Sequence, residues 1–146
     1  MVLKKKFRTY LASMNMTSAL VARVTEVFKF CQQICPETIQ DILVTEYVTG
    51  DKKQEYESLI CFSENFAVEA ASFVSDEVVE LLSLNPPMPM SELHKSNYNF
   101  EKASEESRLQ ITSYLASHSG VILTIAIKAS GKNCDHARDM YLKYLR

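Results

Sequence analysis

The sequence predicts an α+β fold: two N-terminal helices, an antiparallel curved sheet or barrel of six or seven strands, and a C-terminal helix. Three observations carry this. Apolar residues recur every three or four positions as far as Pro36 and again after Gly131, which marks helices at both ends. Between them the apolar period drops to two, in runs rich in Thr, Val and aromatics separated by short polar turns, the signature of strands. The chain has 146 residues, 47% of them hydrophobic, which suffices to bury a core without disulfides or a structural metal. It therefore reads as a single domain over 1–146, with 1–36 as a helical extension and 37–146 as the core.

Leu3, Phe7, Tyr10, Leu11 and Met14 fall on one face of a first helix, with Lys4, Lys5 and Arg8 off that stripe. Thr17 and Ser18 offer capping hydroxyls for a second helix, whose stripe is Leu20, Val24, Val27, Phe28, Cys31, Ile34 and Cys35, and Pro36 closes it. Strands follow at 40–49 and 54–63 around a hairpin loop, Gly50-Asp51-Lys52-Lys53. Further strands are expected at 66–74 and 77–84, although the Ala and Glu content of 66–84 also suits a helix. Residues 85–107 hold the remaining prolines and many polar groups, and so read as a long loop with at most a short strand at Tyr98–Phe100. Strand pattern returns at 108–115 and 121–129. The last helix presents Ala137, Met140, Tyr141, Tyr144 and Leu145.

Four antiparallel strands, a long loop, two or three more strands and a C-terminal amphipathic helix form an order that resembles the pleckstrin-homology-like superfold over residues 39–146. Typical members carry a tryptophan in the last helix, where this chain offers only Tyr141 or Tyr144. The superfold includes peptide-binding and scaffold domains as well as lipid binders, so the resemblance implies a binding module without choosing its ligand. Phosphoinositide-binding members gather basic residues at the first hairpin. Here Lys52 and Lys53 stand amid Asp51, Glu55 and Glu57, which argues against headgroup binding through that loop.

Three glycines in all leave no room for a GxGxxG or GxxxxGK[ST] phosphate loop. The four cysteines, at 31, 35, 61 and 134, show no CxxC pairing and read as reduced thiols. Without an apolar run of about 20 residues or a secretory signal, the expected location is cytoplasmic, with the nucleus or mitochondrion as alternatives. The net charge of −2 hides segregation. Residues 1–36 carry six Lys or Arg against Glu26, for +5, while residues 37–80 carry eleven acids against Lys52 and Lys53, for −9. A pI near 5.9 and the lack of a recognition motif argue against nucleic acid.

Candidates for catalysis are few. Cys134-Asp135-His136 are adjacent on a helix, about 100° apart, so they cannot converge, and His94 and His118 are placed in a loop and a turn. Cys31 and Cys35 share a helical face but lie among Val, Phe and Ile, as small core residues rather than metal ligands. No catalytic, cofactor or metal residue is expected, and the chain reads as a non-catalytic protein-binding subunit or adaptor. Phe7, Tyr10, Leu11 and Met14 are the expected partner contacts, with docking on the chain's own sheet as the competing use of that stripe. Lys4, Lys5, Lys6 and Arg8 are the expected anion or membrane contacts under the rival reading, a membrane-surface domain acting through the basic first helix. Ser104 and Ser107, flanking two acids in the long loop, are candidates for phosphorylation.

Overall fold

The change of apolar period at Pro36 is where helix gives way to sheet. The computed structural model describes residues 3–48, 54–74, 80–84, 91–103, 106–117 and 122–145. Its element order is α1 (Lys5–Ser13), α2 (Ser18–Ile34), β1 (Asp41–Val48), β2 (Gln54–Phe62), β3 (Ala67–Ala71), β4 (Glu80–Leu84), β5 (Ser91–Ala103), β6 (Glu106–Ser117), β7 (Ile122–Ser130) and α3 (Asn133–Met140), the last extended by a π-helical turn, Tyr141–Leu145. The chain divides into two compact units, Met1–Leu84 and Asn85–Arg146.

In the first unit, Leu3, Phe7 and Leu11 recur at four-residue steps and are buried. Asn15, at φ 56°, reverses the chain between the helices, a conformation that Asn tolerates better than most residues. Thr17 then caps α2, its hydroxyl accepting from the Leu20 amide at 3.2 Å. Helix α2 buries Val24, Val27, Phe28 and Cys31, and meets α1 through the rings of Phe7 and Phe28, 5.4 Å between centroids and tilted by 57°. Gln32 shapes the exit past Pro36: its amide donates to the Glu37 carbonyl at 2.8 Å, and its side-chain carbonyl accepts from the Ile39 amide at 3.0 Å. The Glu37 carboxylate in turn accepts from the Ser63 hydroxyl, the Asn65 amide and the Asn65 side chain, which pins the turn between β2 and β3.

Strands β1 to β4 form an antiparallel meander in sequence order, with a register irregularity at Thr45/Glu46. Ile42, Val44, Leu59, Cys61, Val68 and Ala70 share one core with the helices, so α1 and α2 are integral to this unit. Leu43, Ile60 and Phe62 alternate onto the opposite face and are also fully buried. Burial on both faces explains the near-continuous apolar runs Ile42–Val44 and Leu59–Phe62. Below the helices, the Thr45 and Ser58 hydroxyls pair at 2.6 Å, which satisfies two buried polar groups across the ladder.

In the second unit, β5, β6 and β7 form a second antiparallel meander, and α3 packs on β6 and β7. Gly131, at φ +54°, turns the chain into α3, which buries Cys134, Ala137 and Met140, with Leu145 buried in the turn beyond.

The α+β class stands, with three helices and antiparallel strands. Several boundaries shift. The expected long loop over 85–107 is largely strand: β5 runs thirteen residues and pairs with β6 from Ser91↔Ser117 to Ala103↔Glu106. Its polar composition hid it, because the hydrogen bonds that hold it come from a partner strand and leave no local apolar signature. The helical alternative for 66–84 does not hold for 67–71 and 80–84, which pair with each other as β3 and β4. Ile34, expected on the buried stripe of α2, is exposed.

Candidate interaction surface

Helix α1 positions the four residues expected to contact a partner, and the structure corrects that assignment. Phe7 and Leu11 are buried in the chain's own core, and Tyr10 and Met14 pack half-buried against it. The Tyr10 hydroxyl also accepts from the Val44 amide at 3.0 Å, fixing α1 over β1. The apolar stripe is thus used internally, because a helix this amphipathic lying beside an apolar sheet loses most water-exposed surface by docking there. At its end, the Tyr56 hydroxyl donates to the Met14 carbonyl at 3.4 Å, and burial together with the Glu46 carboxylate pushes the Tyr56 phenol above its ordinary value.

The basic residues of α1 separate into two kinds. Lys6 reaches the buried Asp41 at 2.6 Å, while Lys4 lies over the Phe7 ring and donates to the Ile39 carbonyl. Lys5 and Arg8 are exposed and make no side-chain ion pair or hydrogen bond among the described residues. Part of the charge segregation is therefore consumed inside the first unit, basic helix against acidic strand.

Among the described residues, the large apolar groups that face solvent are Phe30 and Ile34 on α2, Val74 after β3 and Leu142 in the π-helical turn, and only the α2 pair shares one element and one flank. Phe30 is 48% and Ile34 43% exposed, four residues apart and so neighbours on one flank. Phe28 points to α1, and two further residues turn the helix by about 200°, which places Phe30 on the flank away from α1. Arg23 and Val27 continue the same line toward the N-terminal end. There the Arg23 Nε donates to the Phe73 carbonyl at 2.7 Å, just before the exposed Val74 in the turn after β3. Since Cys35 contacts Ser63 at the other end, α2 runs antiparallel to β3. Polar groups border the flank: Glu26, paired with Arg23 at 3.4 Å, and the exposed Lys29 and Gln33. The sequence did hold a signal for this surface. Phe30 lies outside the Leu20–Cys35 stripe that reads as core-facing, so α2 carries a large apolar residue beyond the face it buries.

The remaining candidates are placed as follows. The Cys134 thiol is buried and donates to the Ala129 carbonyl at 3.5 Å, Asp135 pairs with Arg138 at 3.2 Å, and His136 is half-buried, so the adjacent triplet does not assemble. Cys31 and Cys35 sit in the core, and no group of three or more His, Cys, Asp or Glu among the described residues has a metal-binding arrangement. Ser107 is the second residue of β6, opposite Lys102, rather than lying in a loop, which weakens its case as a modification site, and His94 lies in β5. Ser104, His118, Gly50, Gly120, Lys52 and Lys53 lie outside the described residues. No helix among the described residues is long and apolar enough to cross a membrane. Comparison with protein-family models, with curated protein sequences and with solved structures finds no match for this chain.

Proposed function

We propose that the protein is a non-catalytic protein-binding module, a subunit or adaptor of a complex, that docks a partner's apolar side chains on the α2 flank formed by Phe30 and Ile34. The observation that carries this is the pairing of two large, exposed apolar groups one helical turn apart, bordered by charged and amide side chains. The pleckstrin-homology-like reading of the fold belongs to the same proposal. What supports it is a four-stranded and then a three-stranded antiparallel meander followed by a helix, the element order of that superfold. A cytoplasmic setting fits four buried thiols in reduced form.

The test is affinity purification of the unmodified chain beside Phe30→Asp and Ile34→Asp. Partners recovered with the first and lost from both variants, while circular dichroism stays unchanged, support the module. An identical set of partners from all three chains sinks it.

A second reading, contact with an anionic membrane surface, rests on Lys5 and Arg8, which are exposed on α1 and make no side-chain ion pair or hydrogen bond among the described residues. Insertion of the helix is not part of that reading, because Phe7 and Leu11 would have to leave the core. Contact of this kind is electrostatic. Sedimentation with phosphatidylserine vesicles that fails for Lys5→Glu/Arg8→Glu and weakens steeply with salt would favour it over the α2 module.

A further inference from the structure

Helix α2 is self-complementary along its exposed side. Ala22, Glu26, Lys29 and Gln33 follow one another at steps of four, three and four residues, so they share one stripe, and all four are exposed. Glu26 with Lys29, and Ala22 with Gln33, have the same midpoint, between Val27 and Phe28. Two α2 helices laid antiparallel about a two-fold axis through that midpoint therefore set each Glu26 opposite the other copy's Lys29, and the small Ala22 opposite the longer Gln33. The Glu26 carboxylate has room for a second cation: it meets Arg23 at 3.4 Å, yet its side chain stays 58% exposed. A parallel pair would put Glu26 against Glu26 and Lys29 against Lys29, so charge selects the antiparallel arrangement.

Phe30 and Ile34 lie beside this stripe, both on the same side of it. A two-fold axis perpendicular to the helices keeps that side in common, so the apolar groups of both copies fall along one margin of the pair and the charges along the other. In the register that the charges set, the two Phe30 residues are five residues apart in level, about 7.5 Å along the helices, close enough for their rings to approach each other. The same register therefore serves the ion pairs and the exposed rings.

We propose, on the reading of the α2 flank as a docking surface, that its occupant is a second copy of this chain, seated antiparallel, with reciprocal Glu26 to Lys29 pairs and with Phe30 and Ile34 of both copies packed along one margin. The charge pattern is what points to a second copy. A partner for this flank has to present a base and an acid in the reverse order at the same spacing, and an antiparallel α2 does so. One flank of a 17-residue helix makes a small contact, in the class below roughly 1,200 Å² that holds transient partners. The first unit's core is closed without it, so the dimer is a reversible association of folded chains and not a condition for folding.

The experiment is light scattering of the full-length chain at concentrations from about 1 μM to about 1 mM, where the mass should rise from 16.6 kDa toward twice that value. Glu26→Lys and Lys29→Glu each turn both reciprocal pairs into like-charge contacts, and each should raise the dissociation constant about tenfold. The double variant Glu26→Lys/Lys29→Glu restores the dimer, because acid and base have only changed places. Mixing the two single variants also restores it, since one chain then presents two bases and the other two acids. Phe30→Asp weakens the dimer in every combination. A chain that keeps one mass over the whole range overturns the dimer but leaves the flank open to another protein, which the affinity purification reads separately. A dimer that ignores the charge reversals or Phe30→Asp, or single variants that weaken it and do not recover on mixing, would overturn the proposal too.

Discussion

At the scale of single residues, buried polar groups make the sharpest demands. Asp41 is 5% exposed at its side chain and meets Lys6, which is 58% exposed. Solvent screens the lysine end, so Lys6→Ala is expected to cost about 1 kcal/mol in urea unfolding, well short of a fully buried pair. Tyr56 gives a pH signature. Its phenol is raised above 10.0 in the folded chain, so the folded form holds the proton longer than the unfolded form. That contribution to stability is fully present below pH 10 and is lost as pH rises through the higher folded value. Thermal melts between pH 9 and 11 should therefore fall less steeply for Tyr56→Phe than for the unmodified chain. At Gly131 nothing lies within 4 Å of an added Cβ, yet φ is +54°, so Gly131→Ala should cost about 1 kcal/mol through the backbone alone.

Among the elements, the two N-terminal helices show how local signals and packing divide the work. Thr17 caps α2 in the way its position before an apolar stripe suggests, and Thr17→Ala should lose about 1 kcal/mol in equilibrium unfolding. Helix α1 has no side-chain cap and only nine residues, too few to persist in water by propensity, so its packing must hold it. Phe7→Ala should accordingly cost about 3–5 kcal/mol, whereas Phe30→Ala, on the exposed flank of α2, should stay within about 0.5 kcal/mol of the unmodified chain. Equal losses at the two positions would mean that α2 buries the flank assigned to a partner. The stripes of α1 and α2 were legible because a helix that docks along one side must repeat its apolar residues every three to four positions. The outward placement of Ile34 was not. Whether a residue at the margin of a stripe is covered depends on where the sheet lies beneath it, and periodicity does not carry that.

For the molecule as a whole, the cysteines report on both units. Cys31, Cys35, Cys61 and Cys134 are all buried, three in the first unit and one in the second. A bulky charged reagent such as dithionitrobenzoate should label none of the four quickly in the native chain and all four on denaturation. Fast native labelling of one thiol would locate an opening in its unit. The net charge of −2 likewise has a structural meaning only at this scale. Lys6 against Asp41 shows basic helix and acidic strand partly neutralising each other within one unit, while Lys5 and Arg8 make no side-chain ion pair among the described residues.

The amino-acid sequence by itself determined the α+β class, the two N-terminal helices, the turn at Pro36, the first strand pair, and the helix after Gly131. Each rests on apolar period or on a residue with restricted backbone freedom, and both are local properties of the chain. Only the tertiary structure decided that β5 is a strand, that Phe7 and Leu11 belong to the core, and that Phe30 and Ile34 do not. These are questions of which surfaces meet. A polar strand is held by a partner's hydrogen bonds, and a side chain is buried or exposed according to what lies opposite it, so the answers reside in contacts between residues far apart in sequence.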